Sequence, residues 1–410
     1  MSQARRIAVI GAGPAGLYAA LTAGECNPAA EVIILDDSGD PWSRLRKMEG
    51  LVGVDCFDAE TFTEAFLNGG RELLGPFYQW TPDDQVEWLA KRGLAVEGSE
   101  GGPLRAEDPG AVAQVLQGEL DREEILLKAG ERVIHADASS EGNRFWLTLA
   151  DNSTVEADAL IIATGGMLNG GAPRLIEELG HTVRPPVPAM FHLQTADERF
   201  RGLAGVTIPH TAWRIPGIDG AEAVGPTEFQ PWGFGGTAVL ALGARAADRL
   251  AKVRYRFVAE VNWLAALNQP GKALAEQARR YPRQRLGSEP FGGLPERLWA
   301  QLIQGAGASL DDAWGGLEKS IWGKLQQALT RCPVEVHRKR LYHGESAVSG
   351  GVALGEVHLK TMGSRRVDGL FFAGQVLDYH ALPGGFNLHA EWLTGRTAGR
   401  SAALGVPSSN

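Results

Sequence analysis

Cysteine is scarce in this 410-residue chain: Cys26, Cys56 and Cys332, with no two in a CxxC pair. So few, at scattered positions, build neither a disulfide framework nor a thiolate zinc site. No His, Cys, Asp or Glu residues cluster at metal-ligand spacing, so no metal is expected. No apolar run reaches the ~20 residues that a membrane-spanning helix requires. The opening MSQARRIAVIGAGPAGLYAALTAG places two arginines before an apolar run, as a signal peptide does. The Gly-Ala-Gly-Pro-Ala-Gly break inside that run makes it a strand, a turn and a helix instead, and a cytoplasmic protein is expected. Glycine, by contrast, is abundant. It makes up 53 of 410 residues, about 13% against a usual ~7%, and it gathers beside apolar runs. Such glycines mark tight turns or close approach of the backbone to a ligand.

The first such cluster carries a motif. RIAVI, residues 6–10, has the composition of a buried strand. Gly11, Gly13 and Gly16 follow at GxGxxG spacing, LYAALTAG continues as a helix, and EVIILDD closes a second strand at Asp36, twenty residues after Gly16. This is the dinucleotide fingerprint in the context it requires. Gly11 permits the turn, Gly13 admits a pyrophosphate, and Gly16 lets helix and strand pack closely. The helix start at Pro14 and Ala15 offers free N–H groups and a positive dipole end to phosphate. Asp36 accepts hydrogen bonds from a ribose diol, with Asp37 beside it.

Residues 60–130 read as mainly helical. TPDDQVEWLAKRGL has a Thr cap and Pro at the first helical position, and DPGAVAQVLQGEL is a second helix. From Val133 onward, ERVIHADA and RFWLTLADNSTVEADALIIATGG read as a small antiparallel meander. Its last strand, ALII, is wholly apolar and leads through Ala163 and Thr164 to Gly165. A buried strand ending this way is typical of two-dinucleotide-fold flavoproteins, where it passes close to FAD. No second GxGxxG follows a strand, so a separate NAD(P)H domain of Rossmann type is not expected.

Near the C-terminus, GLFFAGQVLDYHALPGGFNLHAEW repeats the pattern of apolar strand, glycine and helix. Its strand belongs in the same parallel sheet as ALII. Gly374 brings backbone close to a ribityl chain. Gly385, Phe386 and Asn387 open a helix whose N–H groups would face the pyrimidine edge of a flavin, where reduction places negative charge.

GGVALGEVHLKTMGSRRVDGLFFAGQVLDYHALPGGFN resembles the C-terminal signature of the BaiN-like, or aminoacetone-oxidase-like, family of FAD-binding oxidoreductases. The resemblance covers roughly residues 1–190 and 345–402. It implies an α/β fold in which a Rossmann-like FAD-binding domain is built from both chain ends. A β-barrel-like domain with a helical subdomain interrupts it. The expected boundaries are 1–188 and 346–410 for the FAD-binding domain and 189–345 for the insert, the latter β-rich over 189–250, helical over 251–330 and returning as a strand over 331–345. Arg44, Lys47, Val133, Gln375 and Asp378 join the candidate cofactor contacts. The chain also departs from the family pattern. In KMEGLVGVDCFD, Lys47, Gly53 and Cys56 keep their spacing, but Asp55 and Phe57 replace Arg and Asn. In FQPWGFGGT, Phe229 to Thr237, a His and a Ser are missing. Gln375 stands where the family has an acid.

A flavin supplies hydride chemistry through N5, so a proton donor is sought near it. Cys56, Tyr379 and His380 are the candidates, in a pocket expected at the domain junction; a core cysteine and a packing histidine are the plainer readings. His192, His210, His337 and His343 flank the insert and read as structural. Residues 252–343 carry fifteen Lys plus Arg and eight Asp plus Glu, net +7, against −9 for the whole chain and so −16 for the rest. That raises RNA as an alternative partner, with a solvated helical surface preferred. The leading expectation is an FAD-dependent oxidoreductase acting on a small organic substrate, with NAD(P)H as a transient reductant. The alternatives are a flavoenzyme reducing uridine in RNA and a flavin-binding protein without catalysis.

Overall fold

The computed structural model describes residues 4–56, 58–98, 102–138, 144–166, 171–342, 344–345 and 347–406. Phe57 and His343 lie outside the described residues. The chain divides into two compact units, 1–188 with 343–410, and 189–342.

The first unit is built on a seven-stranded sheet. Five of its strands are parallel, in the order Leu370–Phe372, Ala159–Ile162, Arg6–Ile10, Glu31–Asp36, Leu126–Ala129, and a short antiparallel hairpin extends one edge. ALII and LFF do pair in parallel, with Ile161 opposite Phe371. Both are shielded on each face, as the uninterrupted apolar runs require. Each fully buried Ile or Leu here contributes about 1.5–3 kcal/mol relative to exposure. Two helices pack against each other across one face, Pro14–Cys26 and Phe386–Leu404. Their approach is closer than side chains allow: a Cβ on Gly395 would lie 2.4 Å from the carbonyl oxygen of Ala15, and one on Gly399 2.1 Å from that of Ala19. The meander is a three-stranded antiparallel sheet of Val133–Ala138, Phe145–Leu149 and Thr154–Ala157. Pro82–Ala90 is a helix with a reciprocal Thr81–Asp84 cap, and Ala111–Arg122 is another. A second small sheet, of Leu51–Val54, Val96–Glu97 and Pro103–Ala106, interrupts the region read as helical. Its strands are four residues or fewer, too short to show a period.

The second unit holds a seven-stranded sheet in which every pairing is antiparallel. Its two outermost strands are Cys332–Val336 and Arg338–Leu341. Only His337 separates them in sequence, and one residue spans only a few ångströms. The end of one edge strand therefore lies beside the start of the other. Helices Pro270–Arg280, Glu296–Gly305 and Lys319–Thr330 form the helical part.

Two expectations for this unit are corrected. The spans 189–250 and 251–330 are not cleanly β-rich and helical: the helix Thr237–Lys252 begins inside the first, and Phe257–Asn262 in the second is a strand. Arg254 and Tyr255 adopt positive φ of 52° and 57° and end the helix. After them FVAEVN alternates, with Ala259 and Val261 turned into the core and Val258 exposed, a period of two that a helical reading overlooks. The return segment 331–345 holds two strands, not one.

Candidate functional site

The geometry of the phosphate turn follows from its glycines. Gly11 has φ +104°, and a Cβ there would lie 2.4 Å from the carbonyl oxygen of Ala163. A Cβ on Gly16 would lie 1.9 Å from the carbonyl oxygen of Gly11. Any side chain at either position would push the helix away from the strand. Gly13 caps the first helix without a side-chain hydrogen bond, so its first-turn N–H groups remain open to a ligand. Asp36 shapes the turn from the neighbouring strand: its carboxylate accepts from Ala12 N at 2.7 Å and Ser38 N at 2.9 Å.

Beside this turn lies an open cleft. Gly11, Asp36, Asp37, Arg132, Val133 and Thr164 are among its walls. The Thr164 hydroxyl is buried and lacks a hydrogen-bond partner among the described residues, as expected for a group that a ligand completes. The cleft and the open helix end fit the adenosine and pyrophosphate of a dinucleotide.

Next along the same face is Arg44, on the short helix Ser43–Lys47. Its Nη1 lies 3.4 Å from where a Cβ of Gly13 would be and 3.3 Å from that of Gly165, so the guanidinium spans both turns. Its Nη2 donates to Glu391 of the C-terminal helix at 2.5 Å. Glu391 is buried, and burial raises its carboxyl above the usual range while Arg44 draws it down. Lys47 is exposed at the end of its helix.

Gly374, with φ +75°, approaches the first helix: a Cβ there would lie 2.6 Å from that of Ala15. Its N–H donates to Thr394 Oγ1 at 2.9 Å. The neighbouring polar side chains serve the protein's own backbone. Gln375 accepts from Val348 N at 3.0 Å, and Asp378 accepts from Gly350 N at 3.0 Å and faces Arg184 at 3.3 Å. Both tie the strand Val348–Val352 to the chain leaving Phe372.

At the start of the C-terminal helix, Gly385 has φ +95°, and a Cβ there would lie 2.0 Å from the carbonyl oxygen of Gly53. Phe386 is buried behind it. The N–H groups of Gly384, Gly385 and Asn387 converge, and a carboxylate fills the hollow they make. Glu345 accepts from Gly384 N and Gly385 N at 2.8 Å, and from Asn387 N and Nδ2 at 3.0 Å. Asn387 also accepts from Ala381 N at 2.9 Å, so it braces the loop before the helix.

The three candidate proton donors stand in the same unit. Tyr379 is fully buried against Phe66, and burial raises its phenol well above the ordinary value. His380 is buried in a two-residue strand pairing with Asn68. Cys56 is buried, its thiol directed to the carbonyl oxygen of Asp58 at 3.4 Å, and burial raises its pKa. In the second unit His210 and His337 are exposed, and His192 stacks on Trp232. Among the described residues no cluster of His, Cys, Asp and Glu could hold a metal, and no helix is long and apolar enough to cross a membrane.

Three buried polar residues escaped the sequence reading: Glu345, His389 and Glu391. Glu391 left a signal, since FNLHAEWLTG is apolar around the whole helix and an acid inside it must be paired. His389 sits between Phe62 and Phe77, with centroids 6.3 and 6.0 Å away, and burial lowers its pKa to about 4. Glu345, in an irregular segment, left none.

Known proteins resemble this chain in sequence or in fold. Over 418 aligned residues the chain is 27% identical to a 3-dehydro-bile acid Δ(4,6)-reductase of Clostridium scindens, covering 97% of this chain and 99% of that one. It is 27% identical to a ribosomal RNA dihydrouridine synthase of Escherichia coli, over 94% of each. The fold matches a 3-ketosteroid Δ1-dehydrogenase from Sterolibacterium denitrificans with a TM-score of 0.54 at 11% identity, over 98% of this chain and all of that one. It also matches a flavocytochrome c3 fumarate reductase with a TM-score of 0.51 at 15% identity, over 98% and 79%. The model of the HI0933-like protein Rossmann domain matches residues 5–401, so the chain belongs to the HI0933-like family and is a flavoprotein oxidoreductase.

Proposed function

We propose that the protein is an FAD-dependent reductase that saturates a carbon–carbon double bond conjugated to a carbonyl in a small, largely apolar molecule. The observation that carries this reading is one continuous face of the first unit: the cleft at Asp36 and Thr164, the open helix end at Gly13, Arg44 across the turns, Gly374, and the convergent N–H groups at Gly385 and Asn387. Bound there, FAD supplies the hydride. The chain holds the adenosine with Asp36, the phosphates with the first helix and Arg44, and the pyrimidine edge with the C-terminal helix. His380 is the proposed proton donor, with Tyr379 and Cys56 behind it because burial raises the phenol and the thiol above their ordinary values and makes each a weaker acid. The bile-acid relative supports the substrate class, since its name describes reduction of a conjugated ketone.

The test is to purify the protein, identify the released cofactor by mass, and titrate the bound flavin anaerobically with NADH and with NADPH. Oxidation of the reduced flavin by a panel of 3-oxo-Δ4 steroids and simpler enones follows. A second reading, reduction of uridine in RNA, is supported by the Escherichia coli relative's name and by the net +7 of residues 252–343. RNA retention that falls steeply with salt, together with flavin oxidation by RNA and by no enone, would select it.

A further inference from the structure

The hollow at the start of the C-terminal helix is a receptor for an oxygen acceptor carrying negative charge. Three backbone N–H groups and the Asn387 amide converge on one point. The helix dipole adds positive potential there. Gly385 can hold this geometry because its φ is +95° and no Cβ separates it from Gly53. In the proposed function this receptor takes the C2 carbonyl and N1 edge of the flavin. The carboxylate of Glu345 already occupies it, with four bonds of 2.8–3.0 Å.

We propose that Glu345 is an internal occupant of the flavin's pyrimidine site, one that holds the four donors in the cofactor-free protein and leaves them when FAD loads. The inference rests on the FAD reading above. Glu345 and a flavin carbonyl are the same kind of group to this receptor, an oxygen acceptor whose negative charge faces the helix end, and both cannot fill one hollow. The means of exit are local. Glu345 follows Gly344 in a segment that is neither helix nor strand, and among the described residues its side-chain hydrogen bonds run to the receptor. Burial also opposes its charge there, raising its carboxyl above the usual range while the receptor's hydrogen bonds draw it down. Without the occupant the four donors would be buried and unpaired, which costs free energy in the empty protein. Glu345 therefore stabilises the apoprotein and opposes the cofactor.

The opposition sets a magnitude. If the receptor is open in a tenth of molecules or fewer, the apparent affinity for FAD is reduced about tenfold or more. The experiment measures dissociation constants of FAD and of ADP for flavin-free wild type, Glu345→Ala and Glu345→Gln, with thermal unfolding of each apoprotein. ADP reaches the adenosine cleft and phosphate turn but not the Glu345 hollow. The expected result is FAD affinity at least tenfold tighter in Glu345→Ala, an intermediate gain in Glu345→Gln, unchanged ADP affinity, and lower apoprotein stability. A purely structural Glu345 would lower stability and FAD affinity together, and that result overturns the proposal. Equal FAD affinity in all three proteins overturns it as well. ADP binding with no FAD binding by any of the three overturns the flavin reading and this proposal with it. If Glu345→Ala does not fold, Glu345→Gln alone decides, by whether FAD binds more or less tightly than to wild type.

Discussion

The carboxylate of Glu391 and the guanidinium of Arg44 meet at 2.5 Å across 347 residues of sequence. One stands on the C-terminal helix and the other beside the phosphate turn near the N-terminus. In the proposed function, this contact joins two distant chain segments into a single cofactor face. Arg44 is placed over Gly13 and Gly165 by an acid buried in the opposite helix.

Because Glu391 is buried, removing its partner is worse than removing both. Arg44→Ala leaves an uncompensated buried acid and should destabilise by about 3–5 kcal/mol, the usual cost of breaking such a pair. Arg44→Met with Glu391→Leu should cost markedly less. Chemical denaturation of the single and double variants checks this; additive losses would show that the two groups act independently.

Gly385→Ala should remove the flavin. The new Cβ would fall 2.0 Å from the carbonyl oxygen of Gly53 and require a positive φ. The left-handed conformation alone costs an alanine about 1–2 kcal/mol, and relieving the clash shifts the start of the helix. Absorbance of the purified variant near the flavin bands, against wild type, is the measurement. Full flavin occupancy would mean that this helix start does not shape the site.

How much of this was legible in the chain depended on period and reach. Gly11, Gly16 and Asp36 could be placed because strand, turn and helix are local, and the spacing carries the geometry. The pairing of ALII with LFF followed from two apolar runs that only a shielded sheet can house. The small sheet at Leu51–Val54 was missed because its strands are too short to show a period. Phe257–Asn262 was read as helix because its alternation abuts a true helix. Gln375 and Asp378 looked like cofactor contacts, yet their hydrogen bonds run to Val348 and Gly350. No sequence pattern reports which partner a polar side chain finds across a fold.

His389 predicts an acid-side loss of stability. Its folded pKa near 4 lies below the ordinary 6.5, so on acidification the unfolded chain takes up the proton first. Its contribution is complete above about pH 6.5 and is lost as pH falls toward 4, by about 3 kcal/mol in all. His389→Leu should flatten that part of the stability–pH profile. A profile unchanged by the substitution would place the titration elsewhere.

Among the candidate donors, His380→Ala should slow substrate-dependent flavin oxidation by about 10²–10⁴, the usual contribution of a general acid, with flavin occupancy and spectrum unchanged. Cys56→Ala should alter it only several-fold. If neither loses tenfold, the proton comes from water or substrate.

The proposed cofactor face runs from Asp36 to Asn387. Mass spectrometry of the cofactor released from the protein as purified under mild conditions is the decisive measurement. One FAD per chain, in a yellow protein, is the expected result; FMN, or no flavin even after incubation with FAD, would overturn the assignment.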